Sequence, residues 1–409
     1  MFGPERQARI FLDGVSGARP RVPVNELALE QRAIAAMTAE AAAYVVGGAG
    51  REDTISANRR AFAKWHIVPR VLRDVEQRDA SVTIFGCRLS SPLLTAPVGV
   101  LELAHKDADL AVARAAASEN VPMVFSNQAS VEMERCAAVM GDTPRFFQLY
   151  WSRSDALVQS FVRRAEACGC RGILLTLDTT MLGWRPRDLD LAYLPFMRGM
   201  GIAQYTSDPV FRAEANALDV AGGPSPKITL HALRAARELL ARTPGTMLSH
   251  VRSGWPRRAV RHFIATYSRP SLRWADIARL RVMTSLPIIL KGVLHPEDAR
   301  LAVEHGVDGV VVSNHGGRQV DGEIASLDAL PAVAHTIRGR IPVLFDSGVR
   351  SGADVFKALA LGASAVLIGR PYVYGLAIAG EAGVREVLAN IRAEFDLTMG
   401  LAGCTSVTA

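Results

Sequence analysis

The chain has 409 residues, 49% hydrophobic and 6% aromatic, with a formal net charge of +7 at pH 7 and a pI near 9.4. That length supports one large core, and so apolar a composition excludes a disordered chain. No apolar run reaches the roughly 18 residues a membrane span requires, and the N-terminal MFGPERQARIFLDG has no apolar h-region, so the cytoplasm is the expected compartment.

Lysine is rare, so arginine supplies most of the positive charge. A basic balance suits nucleic acid, a membrane surface or acidic substrates. No interleaved aromatic and basic tract supports nucleic acid, whereas a small anion needs only one or two arginines. The five cysteines, Cys87, Cys136, Cys168, Cys170 and Cys404, form no CxxC pair and read as reduced thiols. His and carboxylates do not recur at ligand spacing, so no metal is expected.

In chain order, residues 1–25 are rich in Gly, Pro and Arg and read as loosely ordered. The Ala-rich segment Glu26 to Tyr44 has helical spacing and stops at Gly47 and Gly48. Asn58 to Trp65 reads as helical, and Val82 to Leu89 as a short strand pair outside the main sheet.

Short apolar runs then alternate with helical segments, giving eight expected strands at 92–96, 122–125, 146–150, 172–177, 287–290, 309–313, 342–345 and 365–368. This repeat predicts an α/β chain with a (β/α)8 TIM barrel, an N-terminal helical segment and a long insertion after strand 4. A doubly wound sheet is the competing architecture, but no GxGxxG follows the first strand. The expected division is an extension and helical cap over 1–91, a barrel over 92–400 with 187–272 as an inserted lid region, and a tail over 401–409. Within the insertion, 221–270 reads as part lid and part disorder.

Chemistry in such a barrel gathers just past the strand ends. Those ends carry Pro97, Val98 and Gly99; Ser126 and Gln128; Gln148 and Tyr150; Thr176 and Asp178; Lys291; Ser313 and His315; Asp346, Ser347 and Gly348; and Gly369 with Arg370. His315, in VVVSNHGGRQVDG, is the candidate base, with Arg318 beside it. Gly316 and Gly317 would admit a flat ligand to the backbone. The plainer reading is a surface loop whose histidine and arginine face water.

Lys291 ends the apolar strand PIILK, where burial penalises an ammonium unless an anion meets it. It is either a Schiff-base nucleophile or a stabiliser of negative charge, and these residues alone leave both open. Asp346, Arg350, Gly369 and Arg370 follow the last two strands, where barrels bind phosphate. Together the ends suit a long phosphorylated cofactor across the barrel mouth, and flavin mononucleotide (FMN) fits.

The motifs SNHGGRQVDG, ILKGV, FFQLYW, LTLDT, FDSGVRSGADVFKALALGA and IGRPYVYG resemble the FMN-dependent 2-hydroxy-acid oxidases and dehydrogenases, from about Tyr44 to the C-terminus. TLDTTMLGWRPRDLDLAYLPFMRG and APVGV look most like the lactate 2-monooxygenases of that family. The resemblance implies oxidation of a small, lactate-like L-2-hydroxy acid to the 2-oxo acid by hydride transfer to flavin N5. His315 would be the base, and Asp178 would favour its protonated form. Arg318 and Arg185 would clamp the substrate carboxylate, and Tyr44 and Tyr150 would donate hydroxyls. Arg187 is the alternative to Arg185.

Lys291 would face flavin N1 and the C2 oxygen. Ser126, Gln148 and Thr176 would meet the ring, Pro97 to Gly99 would line one face, Asp346, Arg350, Gly369 and Arg370 would hold ribityl and phosphate, and Ser313, Ser347 and Gly348 would also bind the cofactor. Oxygen would reoxidise the flavin, with oxidative decarboxylation if the monooxygenase likeness extends that far, and the family usually forms tetramers. Two readings compete: a Schiff-base aldolase or lyase on Lys291, and a membrane-associated dehydrogenase passing electrons to a quinone. Gln128 stands where many of these oxidases carry an aromatic residue, which implies a larger or more polar side-chain pocket.

Overall fold

Short runs rich in leucine and β-branched residues, buried on both faces, make parallel strands that leave no free edge when the sheet closes. In a computed structural model describing residues 3–218, 227, 229–243, 250 and 253–408, eight such strands form a closed barrel. They are β3 (Leu93–Thr95), β4 (Met123–Phe125), β5 (Arg145–Leu149), β6 (Ile173–Thr176), β7 (Ile288–Lys291), β8 (Gly309–Val312), β9 (Val343–Phe345) and β10 (Ala365–Ile368). β10 pairs with β3, which completes the ring. The eight strands lie where the apolar runs predicted them, and the TIM barrel is present.

A hairpin, β1 (Val82–Ile84) and β2 (Cys87–Leu89), closes one end of the barrel. Its Ile84 and Leu89 join an inner cluster with Leu94, Val124, Phe146 and Leu174. Phe85 meets Phe146 edge to face at 5.9 Å. A Cβ on Gly309 would stand 2.8 Å from the Phe85 ring, so glycine at the start of β8 lets this plug seat.

Two N-terminal expectations are corrected. Residues 3–15 are ordered as helix α1 (Gly3–Val15). The Gly3 amide donates to Asp396 at 2.8 Å and Arg6 donates to Asn390 at 2.9 Å, ties to a helix at the far end of the sequence that local composition does not reveal. The single helix expected over 26–44 is two, α2 (Glu26–Ala36) and α3 (Ala39–Val46). Thr38 breaks it: its backbone is extended and its side chain caps the Ala41 amide at 3.2 Å, the arrangement a threonine favours at a helix start. Helix α4 (Asp53–Ala63) then begins earlier than predicted.

The described part of the insertion contains helical segments at Pro186–Asp190, Ala203–Thr206, Pro209–Ala217, Leu230–Arg242 and Trp255–Thr266. The expectation of disorder within 221–270 falls in part on 221–226, 228, 244–249 and 251–252, outside the described residues. An aromatic chain holds the described part down. Phe161, on the helix following β5, meets Tyr205 at 5.0 Å, and Tyr205 meets Phe263 at 4.8 Å. Such pairs contribute about 0.5 to 1.5 kcal/mol each beyond their burial. Among the described residues no helix is long and apolar enough to cross a membrane.

Candidate functional site

β8 delivers His315 to the barrel mouth through a left-handed turn: φ is 55° at His315, 66° at Gly316 and 74° at Gly317. Such a conformation is costly for a histidine and persists where surrounding structure holds it. Here the Ser313 hydroxyl accepts the His315 amide at 3.1 Å, and the Asn314 side chain accepts the Gly317 amide at 3.2 Å. Gly316 lines the cavity, and both glycines also have a packing reason. A Cβ on Gly316 would meet the Arg370 guanidinium at 2.9 Å, and one on Gly317 would meet the Ile55 backbone nitrogen at 2.8 Å. Positive φ and close packing thus favour glycine at both positions.

His315 Nδ1 lies 2.7 Å from Asp178 Oδ1, and the Thr179 hydroxyl lies 3.0 Å from that same oxygen. Burial, as the largest influence on Asp178, disfavours its charge, but His315 and Lys291 outweigh it and hold the carboxyl down to about 2. An ionised carboxylate only accepts, so Nδ1 carries the ring proton and Nε2 keeps its lone pair. Burial also lowers the His315 pKa, and Asp178 offsets this only in part. The balance favours the neutral imidazole, while Asp178 pulls towards the protonated form.

Lys291, 3% exposed, donates to Ser313 Oγ at 2.8 Å and lies 3.2 Å from Asp346 and 3.9 Å from Asp178. Burial alone would release its proton, yet the two carboxylates raise its pKa above the ordinary lysine value. Alongside it runs a buried polar ledge. Ser126 donates to Gln148 Oε1 at 3.3 Å, and Gln148 Nε2 donates to Thr176 at 3.2 Å. Thr176 and Lys291 are register partners across β6 and β7, so the ledge meets the ammonium at one level of the barrel.

Four arginines border the mouth, and among the described residues none of Arg185, Arg318, Arg350 or Arg370 forms an ion pair. Arg318 Nη1 donates to the carbonyls of Tyr44 (2.6 Å) and Gly47 (2.8 Å), and its guanidinium sits 5.0 Å from the Tyr44 ring centroid. Burial and then the adjacent Arg185 push its pKa down to about 9, the mark of a cation short of counter-charge. Arg185 donates to the Arg318 carbonyl (3.1 Å) and to Gln319 Oε1 (2.9 Å). Arg187 instead pairs with Glu52 at 2.5 Å, which leaves Arg185 as the cavity-facing member of GWRPRD. On the far side Arg370 donates to the carbonyls of Val45, Gly316 and Gly47, and Arg350 to that of Val349.

One cavity of about 410 Å³ joins these groups. Tyr44, Tyr150, Arg185, Lys291, His315 and Arg318 line it at one end. Pro97 to Gly99, Ser126, Asp346 to Gly348, Arg350, Gly369 and Arg370 line the rest. Asp178, Gln148, Thr176 and Ser313 stand one layer behind, reaching it through the hydrogen bonds above. Tyr150 is buried, and burial with Asp178 nearby raises its phenol to about 12, so it remains a donor. His295 and His305, read as surface residues, are exposed.

The sequence reading missed the residues the insertion adds, Phe196, Phe263, Ile264 and Tyr267. A usable signal existed: Val260, Phe263, Ile264 and Tyr267 fall at helical i, i+3, i+4, i+7 spacing. It missed Gln319 as well, whose Nε2 donates to the carbonyls of Asp178 (3.1 Å) and Met181 (2.9 Å). The donor set suits FMN: a hydrogen-bonding ledge with a buried ammonium for the polar edge of a flat ring, and beyond it Gly348 and Gly369 amides with unpaired Arg350 and Arg370 for a phosphate.

Comparison with known proteins agrees. Residues 33–409 match the FMN-dependent dehydrogenase family model. The chain is 41% identical to an L-lactate oxidase of Lysinibacillus sphaericus, over 89% of this chain and 85% of that protein. It is 41% identical to the FMN-dependent alpha-hydroxy acid dehydrogenase qulF of Penicillium citrinum, over 98% and 92% respectively. A crystal structure of mandelate oxidase with (S)-4-hydroxymandelic acid superposes with a TM-score of 0.78 at 36% identity, covering 94% of this chain and 97% of that one. The chain therefore belongs to the FMN-dependent dehydrogenase family, and FMN is its cofactor.

Proposed function

We propose that the protein oxidises an L-2-hydroxy carboxylate to the corresponding 2-oxo acid, with oxygen as the final acceptor. The observation that carries this reading is His315, its Nδ1 2.7 Å from Asp178, facing the same cavity as Arg185 and Arg318, two cations with no ion pair among the described residues. Bound FMN supplies the two-electron acceptor. The arginines hold the substrate carboxylate, and the Tyr44 and Tyr150 hydroxyls hydrogen-bond to the bound acid. His315 Nε2 takes the hydroxyl proton, and Asp178 stabilises the imidazolium that results. Lys291, with Ser126, Gln148 and Thr176 alongside, would hold the polar edge of the ring and supply a fixed positive charge there.

Lys291 argues against the aldolase reading. An ammonium held between two carboxylates, with its pKa raised, carries no free lone pair to attack a carbonyl. Oxygen as acceptor is supported by relatives named as oxidases.

The test is anaerobic mixing of the FMN-loaded protein with a panel of 2-hydroxy acids, following flavin absorbance near roughly 450 nm. Bleaching, reversed by air, is expected. A flavin that stays oxidised with every acid would refute the reading. Product analysis after air is readmitted separates release of the 2-oxo acid with hydrogen peroxide from release of its decarboxylated acid, carbon dioxide and water, the outcome in the lactate 2-monooxygenase reading.

A further inference from the structure

The cavity continues past the polar groups into the insertion, where its wall is aromatic. Phe196 and Phe263 line it while only 5% and 1% exposed, with ring centroids 5.0 Å apart. Phe263 stacks on Tyr267 at 5.3 Å and 22°, and Tyr267 lines the cavity too. Tyr267 lines the same cavity as Arg185, Tyr44 and Arg318, so the wall adjoins the carboxylate clamp. Leu182 and Leu194 flank it.

We infer that the acid this site takes carries a large apolar substituent on C2, an aryl or arylmethyl group packed against Phe263 and Tyr267. This rests on the proposed hydroxy-acid chemistry and differs from the lactate-like substrate that the sequence resemblance implies. The physical reason is complementarity. A carboxylate on Arg185 and Arg318 and a hydroxyl on His315 fix two substituents of C2. A hydrogen or methyl as the third would leave the apolar wall facing water, whereas an aromatic ring covers it and gains offset or edge contacts with both aromatic residues. Insertion residues with no part in the proton or charge chemistry thereby acquire a function, discrimination by side-chain size.

The experiment compares glycolate, L-lactate, (S)-mandelate and L-3-phenyllactate as reductants of the FMN-loaded enzyme. In parallel, the non-oxidisable acids acetate and phenylacetate are titrated against the flavin spectrum. Since one methylene in an apolar pocket changes kcat/KM by about 10- to 200-fold, an aryl acid is expected to exceed lactate by at least about 100-fold. Phenylacetate should bind more tightly than acetate, and Tyr267→Leu, at the cavity surface, should lower the aryl-to-lactate ratio while bound FMN is retained. Phe263→Leu serves as a second variant that keeps the core filled.

Lactate or glycolate reducing the flavin faster than either aryl acid would overturn the inference and leave the hydroxy-acid reading intact. No reduction by any acid would instead remove the proposed function, and the acetate and phenylacetate titrations would then decide the pocket by themselves.

Discussion

Asn58 and Asn314 form a reciprocal amide pair, each Nδ2 lying 2.8 Å from the other's Oδ1, both residues buried. Asn58 is on α4, in the N-terminal extension, and Asn314 precedes the candidate base. Asn58 Oδ1 also accepts the Ser326 amide at 3.1 Å. The extension therefore helps to hold the left-handed turn that presents His315. Asn58→Ala leaves buried polar groups without partners, which should lower stability by about 2 kcal/mol in denaturant titration. It should also slow anaerobic flavin reduction more than it weakens substrate binding. Unchanged stability would show that the pair does not hold the turn.

The pH dependence follows from His315. Burial lowers its pKa from the ordinary 6.5, and the proposed reaction uses the base form. Activity, read as kcat/KM, should rise with pH through a pKa below 6.5 and be flat by neutrality. Asp178 raises that pKa, so Asp178→Asn should move the acid limb lower still and cut kcat by at least about 100-fold, because the imidazolium loses its counter-charge. A limb that stays in place in the variant would mean another group sets it.

Lys291→Met removes the cation between Asp346 and Asp178 and leaves two buried carboxylates facing each other across its place. Breaking such a set should cost about 3 kcal/mol of stability. The same change should weaken FMN retention, read as the flavin-to-protein absorbance ratio after gel filtration. Full retention of FMN would sever Lys291 from the cofactor.

Arg318→Lys replaces a fork that grips two carbonyls and faces the cavity with a point charge. A loss of about 10- to 100-fold in substrate affinity is expected, the value of a charge-assisted hydrogen bond. Gln319 acts one step removed, as a positioning residue joining Arg185 to the Asp178 and Met181 carbonyls. Gln319→Ala should raise KM several-fold, about 1 kcal/mol of positioning, with kcat and its pH limb nearly unchanged. Gln319→Asn, too short to bridge, should behave likewise. An equal fall in kcat would place Gln319 in the chemistry instead.

Local pattern alone specified much of this protein. Apolar runs such as Val310 to Val312 and Ile288 to Leu290 can only be buried strands, and a polar residue must stop each one, so the eight strands and the polar groups at their ends were readable in order along the chain. The pairing of distant groups was not. Whether Asp178 or burial wins at His315, whether Lys291 is a nucleophile or a fixed charge, and which arginine of GWRPRD turns inward depend on dielectric and on neighbours up to 137 residues away. Thr38 splitting the first long helix and Gly3 docking on Asp396 have the same origin, since capping competes with helical spacing and a terminus is ordered only by what it lands on. The aromatic wall lay unseen because the insertion's helices carry their own periodicity, and only folding back over the barrel mouth turned Phe263 and Tyr267 toward the site.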